Sequence, residues 1–305
     1  LISIEEALAA MPELYIGPAG WNYPDWKGVV YPPKLPKSVS ELTYIANYLN
    51  VVEVNSTFYR IPEATVSGGW LDQIRYNSGF RFILKLWQGF THEGRPANSP
   101  EMKAFQLLLE PLMDAGKLLT VLIQFPWSFK KSNATLIVLG KIVNAIAPAP
   151  GHVEFRHASW HCPEVLTYLR EHRIGWVNID QPVIGASMGP TRERTTSLAY
   201  FRFHGRNYDH WFREGADRNQ RYDYHYSSNE LAEWLPAIQE VTKESEKTIV
   251  IFNNHFKGQA FANSLQLLAL LTDTRPAAPE LLVERFPELR NLTTLPPIQT
   301  TLPIF

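Results

Sequence analysis

Eight times along this chain a short apolar or β-branched run gives way to a longer stretch with helical spacing, and that alternation limits the fold more than any other feature. The runs predicted as strands cover residues 14–17, 51–54, 80–86, 118–125, 152–155, 175–179, 199–204 and 248–252. Most are apolar on both faces, as expected of parallel strands covered by helices. Amphipathic stretches lie between them at residues 39–49, 100–115, 134–147, 163–172, 229–242 and 258–271. Ser38, the pair Ser99 and Pro100, and Ser228 stand where such helices start. Strands alternating with helices imply right-handed crossovers and a parallel sheet. Eight such units predict closure into an α/β protein of the (β/α)8 TIM-barrel class. Residues 181–197 break the scheme: two prolines, two glycines and little helical period predict a missing or degenerate sixth helix. An open doubly wound sheet is the competing fold, but Gly17, Pro18, Ala19 and Gly20 lack dinucleotide-loop spacing.

The 305 residues fit one barrel, predicted over residues 1–271 with a short N-terminal helix at 3–10. Residues 272–305 are rich in proline and read as an extension packed on the barrel or trailing from it. A net charge of −1 gives no bulk electrostatic case for nucleic acid or an anionic membrane. No apolar run approaches the roughly twenty residues of a membrane span, and the opening residues carry early acids without a basic region, unlike a secretory signal. The single cysteine, Cys162, excludes an internal disulfide framework and a cysteine-rich zinc site. It is expected simply to pack, and these features together predict a cytoplasmic protein.

In a barrel of this class, function sits where strands end and the following loops begin. The second strand ends in Glu53, Asn55, Ser56 and Tyr59, the third in Lys85 and the fourth in Gln124. The fifth ends in Glu154, Arg156, His157 and Trp160, and the sixth in Asp180. The seventh ends in Arg202, His204 and Arg206, the eighth in Asn253, Asn254 and His255. Glu53, Lys85, Glu154 and Arg202 fall within otherwise apolar runs, where an unpaired charge is costly, so they are expected to pair with one another. A purely structural salt-bridge network and a network that also holds a polar ligand are compatible readings.

Lys85, Arg156, Arg202 and Arg206 are expected to grip an anion, since guanidinium matches carboxylate and phosphate in bidentate fashion. Glu53, Glu154 and His204 are the candidate proton-transfer groups, with Asn253 and Asn254 orienting substrate. No cofactor is favoured. His157, His204, His255, Glu53, Glu154 and Asp180 supply donors for a divalent metal, yet interleaved cations oppose one and no HExxH element occurs. Glu53 with Glu154 also keeps glycoside hydrolysis open. The aromatics Trp21, Trp26, Tyr59, Trp160, Tyr208 and Trp211 would suit ring stacking, though packing explains most of them. The long loop 205–227 is rich in arginine and aromatics and reads as a lid or as packed cover. Its composition keeps single-stranded nucleic acid as an alternative partner.

Taken in series, the segments IGPAGWNYPDWKGVVYP, VEVNSTFYRIP, LIQFPWSF, VEFRHASW, FRFHGRNY with the later RYDYHYS, and FNNHFKGQAFANSLQL resemble the YecE-like barrel family, domain of unknown function seventy-two. They run in order from Ile16 to about Leu271. The resemblance implies a TIM barrel and no particular activity. It carries over Trp21, Glu53, Asn55, Ser56, Tyr59, Glu154, Arg156, His157, Trp160, Arg202, His204, Arg206, Asn253, Asn254 and His255 as site-formers. Two segments depart from the family pattern: LWQGFTHE after the third strand, near Trp87, and PEATVSGGWLDQI, where Trp70 is expected to be structural.

The expectation is a barrel enzyme acting on a small anionic molecule, phosphorylated compounds included, with metal-dependent phosphoester or nucleic-acid hydrolysis and non-catalytic ligand or nucleic-acid binding as alternatives. Oligomeric state is not readable from the sequence.

Overall fold

A computed structural model describes residues 13–209, 211 and 218–295. Eight parallel strands are connected in the order β1 (Leu14–Pro18), β8 (Lys247–Phe252), β7 (Leu198–Phe203), β6 (Gly175–Asp180), β5 (Gly151–Glu154), β4 (Leu118–Gln124), β3 (Arg81–Lys85) and β2 (Val51–Val54). The seam between β1 and β2 is narrow: Gly20 N–H donates to Glu53 O at 2.8 Å, and Ala19 bridges to Glu53. The sheet is thus a nearly closed (β/α)8 barrel, and each predicted strand lies within a residue or two of its observed position.

The outer layer comprises α1 (Glu41–Ile45), α2 (Thr65–Gln73), α3 (Pro100–Asp114), α4 (Asn133–Ile146), α5 (Pro163–Glu171), α6 (Ser228–Lys243) and α7 (Gln259–Thr272). Local chemistry sets their ends. Ser132 Oγ accepts from Thr135 N–H while Thr135 reaches back to Ser132, a capping box that starts α4. The α6 start is a similar box between Ser227 and Glu230, one residue before the expected Ser228, because only Ser227 has a glutamate three positions on. Likewise α1 is capped by Ser40, whose side chain accepts from Thr43 N–H, and not by Ser38.

The crossover between β6 and β7 contains no helix, as its prolines and glycines predict. Buried polar side chains replace the missing helical hydrogen bonds. Asn178 Oδ1 accepts from Glu193 N–H at 2.7 Å and from Thr191 Oγ1 at 2.9 Å, while its amide donates to Glu193 O at 2.9 Å. Thr195 Oγ1 donates to Ile174 O at 2.6 Å, tying the far end of the segment down.

Beyond the barrel, α8 (Glu280–Arg285) and a 3-10 turn at Pro287–Asn291 bury Leu282 and Leu289 completely. The expected helix at residues 3–10 and the end of the tail, 296–305, lie outside the described residues. Among the described residues, no helix is long and apolar enough to cross a membrane.

Gly17 makes the seam possible, since a Cβ there would stand 1.9 Å from the Val51 carbonyl oxygen. By contrast, a Cβ at Gly68 in α2 would meet nothing within 4 Å. Gly17→Ala should therefore lower unfolding free energy by about 1–3 kcal/mol through overpacking. Gly68→Ala should raise it by roughly 0.5–1 kcal/mol through helix propensity. Paired denaturant titrations of the two variants check both signs.

Candidate functional site

Side chains alternate across a strand, so the inward positions of β2, β3, β5 and β7 deliver Glu53, Lys85, Glu154 and Arg202 to one level of the barrel interior. All four are buried. Arg202 joins the two carboxylates. Its Nε donates to Glu53 Oε2 at 2.8 Å and its Nη2 to Glu53 Oε1 at 2.6 Å, while Nη1 donates to Glu154 Oε2 through a short hydrogen bond. Tyr200, two residues earlier on the same face, adds a 2.6 Å donation to Glu53 Oε2. Mutual pairing inside the apolar strands is what the cost of a lone buried charge requires.

Above this level the network continues. Arg156 Nε lies 2.6 Å from Glu154 Oε1 as an ion pair without hydrogen-bond alignment. Arg156 Nη1 donates to Gln181 Oε1 at 2.5 Å, and Nη2 faces His204 Nε2 at 3.2 Å. His204 Nδ1 is 3.0 Å from the Asn253 amide, which in turn meets the Asn55 amide at 3.4 Å. Trp211 and Tyr222 cover this end, with ring centroids 6.1 and 6.5 Å from His204.

The protonation states follow from burial and neighbours. Burial raises the Glu154 pKa, but Arg156, Arg202 and His204 outweigh it and hold the carboxyl well below the ordinary range. Burial first, and Arg156 next, push His204 down to about 3, so the imidazole is neutral and able to accept from a guanidinium. At neutral pH Glu154 is therefore no proton donor, and both Glu53 oxygens already accept hydrogen bonds. The Arg202 guanidinium that joins the two carboxylates also removes support for a paired-carboxylate glycosidase.

Lys85 differs from every other charge here. Its Nζ lies 3.9 Å from the centre of the Phe58 ring, and among the described residues it makes no ion pair or hydrogen bond. The side chain is about nine-tenths buried. Burial, then Arg202, push its pKa down to about 7; Glu53 and Glu154 pull the other way, and Arg156 adds to the lowering.

Several expected site residues are placed elsewhere. Arg206 does not converge with the other cations. It binds Asp180 in bidentate fashion, with Nη2 to Oδ2 at 2.7 Å and Nε to Oδ1 at 3.0 Å, beside Glu233. Asp180 also accepts from Tyr226 at 2.8 Å and Trp234 at 2.7 Å, which completes a separate cluster under α6. Arg202 is fully buried and all three of its nitrogens are turned to the two carboxylates, so it presents no accessible face to a ligand. Trp160 lies in a stack with Phe155 and Phe129 and donates its indole N–H to Phe129 O. Asn254 fastens the covering loop, donating to Tyr224 O and Asn263 Oδ1. His255 stacks on Tyr23, and His157 accepts from Ser159 N–H to cap a turn. Trp21 packs edge-on against Trp70, and Tyr59 is half exposed beside Phe58.

The sequence reading missed Tyr200, Gln181, Phe58 and Tyr222. Tyr200 was signalled by its position two residues from Arg202, on the same strand face. Gln181 is the first residue after β6. Nothing local marks Phe58 or Tyr222. Among the described residues, no group of three or more His, Cys, Asp and Glu side chains is arranged to hold a metal ion, and the carboxylates that would serve are engaged by guanidinium.

Fold and site together define a (β/α)8 barrel with a buried, arginine-bridged charge cluster at the C-terminal ends of its strands. The chain belongs to the DUF72 family, whose model, described as "Protein of unknown function DUF72", matches residues 15–286. It is 32% identical over 274 residues to the UPF0759 protein YunF of Bacillus subtilis, covering 85% of this chain and 94% of that one. A DUF72 family protein of Thermotoga maritima superposes with a TM-score of 0.73 at 35% identity, over 85% of this chain and 98% of the other. One from Enterococcus faecalis gives 0.74 at 27% identity, over 85% and 95%. These matches agree with the resemblance drawn from the motifs.

Two substitutions separate the roles of the buried cations. Arg202→Leu leaves two buried carboxylates without their bridge and should cost about 3–5 kcal/mol of unfolding free energy. Lys85 binds its proton more weakly in the folded chain, near 7, than at the ordinary value of 10.5. The unfolded chain therefore holds more protons between those values, and wild-type stability rises with pH across that window. Lys85→Met is expected to stabilise the protein below pH 7, with an advantage that shrinks as pH climbs toward 10.5. Urea unfolding across that pH range measures both effects.

Proposed function

We propose that the rim around Lys85 and Arg156 binds a small anionic molecule through a carboxylate or phosphate group. The observation that carries this reading is the largely buried Lys85 side chain, whose charge no carboxylate among the described residues matches. Arg202 and Arg156 are balanced by Glu53 and Glu154, so a protonated Lys85 leaves the cluster with one positive charge in surplus. An anion beside Nζ restores neutrality in a place where imbalance is costly. Arg156, partly accessible and turned toward neutral Gln181 and His204, offers a second cation at the same end.

In this reading Lys85 and Arg156 hold the anion, and the amides of Asn55 and Asn253 orient the rest of the molecule. Glu53, Glu154 and Arg202 form the fixed base beneath. His204 takes part as a neutral imidazole lying between Arg156, on its Nε2 side, and Asn253, on its Nδ1 side. The partner class is a small molecule, since the net charge of −1 offers no extended basic field for nucleic acid. With Arg206 engaged by Asp180, the anion site is narrower than the four-cation grip expected from sequence.

A thermal-shift series with inorganic phosphate, small carboxylates, sugar phosphates and nucleotides tests the reading. An anion at a hundred times its dissociation constant adds about 2.7 kcal/mol to stability and should raise the melting temperature by several degrees. The shift should vanish in Arg156→Gln and in Lys85→Gln, with far-UV circular dichroism confirming that both fold. A shift of full size in both variants, or none in the wild type with any anion, contradicts it.

A further inference from the structure

We infer that Lys85 is a carbonyl-reactive amine, which forms an imine with a small compound whose carbonyl adjoins a carboxylate, that is, a 2-oxo acid. This rests on the anion-site reading of the same rim and names its substrate class. Three features of the structure converge on it. Lys85 ends β3 as a residue about nine-tenths buried, its amine lies over the Phe58 ring, and that amine donates to no acceptor among the described residues. Thr57 Oγ1 lies 2.6 Å from Lys85 O and 2.8 Å from Val54 O, its one proton shared between them, which ties the ends of β2 and β3 together and fixes where the lysine departs. Finally, the surrounding acids are already engaged, Glu53 by Arg202 and Tyr200, and Glu154 by Arg202 and Arg156. The amine is thus not drawn into a salt bridge that would quench it.

A lysine nucleophile must be unprotonated, and desolvation beside another cation is a physical route to that state. Burial and Arg202 provide both here, so at neutral pH a large share of Lys85 is the free amine. The Nζ lone pair attacks the carbonyl carbon, and the C=O π pair moves to oxygen. Transfer of a nitrogen proton to that oxygen gives a carbinolamine. A second proton, from solvent, lets the hydroxyl leave as water while the nitrogen lone pair closes the C=N bond. The product is an iminium on Lys85, and no oxidant or reductant is consumed.

Charge explains why the compound should carry a carboxylate. With Lys85 neutral, Arg202 and Arg156 balance Glu53 and Glu154. Iminium formation adds one positive charge to a buried site, and a carboxylate on the adjacent carbon cancels it, which a neutral ketone does not do. Arg156, at the accessible side of the cluster, is placed to receive that carboxylate in charge-assisted hydrogen bonds.

Reductive trapping tests the inference on the whole protein. Pyruvate with sodium borohydride, followed by peptide mapping, should convert Lys85 to a secondary amine about tenfold faster or more than exposed lysines, as expected for an activated nucleophile. Acetone under the same conditions should label Lys85 much less. Lys85→Arg should lose the label at this peptide, because a guanidinium is not a carbonyl-reactive amine. Labelling spread over exposed lysines with Lys85 untouched overturns the imine, and a phosphate shift that persists then leaves the anion site standing. Absence of any anion-induced shift in the wild type counts instead against the anion site itself. Since the wild-type peptide map locates the reactive lysine by itself, the result does not depend on Lys85→Arg folding.

Discussion

The Arg202 guanidinium, held between Glu53 and Glu154, is the contact on which the centre of this barrel depends. It reaches from β7 to β2 and β5, strands that do not neighbour one another in the sheet. Each partner would be prohibitively costly alone in an apolar interior, and together they are satisfied by geometry that only the closed barrel provides. The interaction therefore ties charge balance to barrel closure. It also decides what remains available for function: neither carboxylate is free, and Arg202 is fully buried between them.

What remains is at the rim. Arg156 adds a second guanidinium to Glu154 and faces the neutral imidazole of His204. Among the described residues, Lys85 enters from β3 without a carboxylate of its own. A buried cation without a partner lowers stability, and its persistence in an otherwise balanced cluster is the kind of local cost associated with binding and catalytic sites. Ligand charge can supply what the fold omits. The same desolvation that makes the charged amine costly makes the neutral amine reactive, so anion binding and carbonyl chemistry are two consequences of one environment.

The fold was legible because hydrophobic alternation and helix-start chemistry are local. The eight strands and the absent sixth crossover helix could be read from short windows, and at α6 the cap falls on Ser227 because Glu230 stands three positions on. At α1 that rule does not separate the serines, since Ser38 has Glu41 three positions on, yet Ser40 caps the helix through Thr43 N–H. The charged strand residues were legible too, since Glu53, Lys85, Glu154 and Arg202 stand out in apolar runs. Their pairing pattern was not. Arg202 and Arg206 look alike in sequence, four residues apart at one strand end. Yet Arg202 points into the barrel and is consumed by two glutamates, whereas Arg206 turns outward to Asp180, Tyr226 and Trp234 being the other partners of that carboxylate. Similarly, Trp160 and Asn254 carry polar groups that long-range backbone partners engage. Which cation is left over is a property of the assembled cluster, not of any one segment.

The most direct test of this account is the titration of Lys85 itself, followed by NMR after isotopic dimethylation of the lysines, with Lys85→Arg to assign its resonance. The account predicts a midpoint near 7, far below the ordinary value of 10.5, and an upward movement when a bound anion such as phosphate stabilises the charged form. A midpoint close to 10.5, unchanged by any anion, would show that Lys85 is an ordinary solvated or paired lysine and would contradict the central claim.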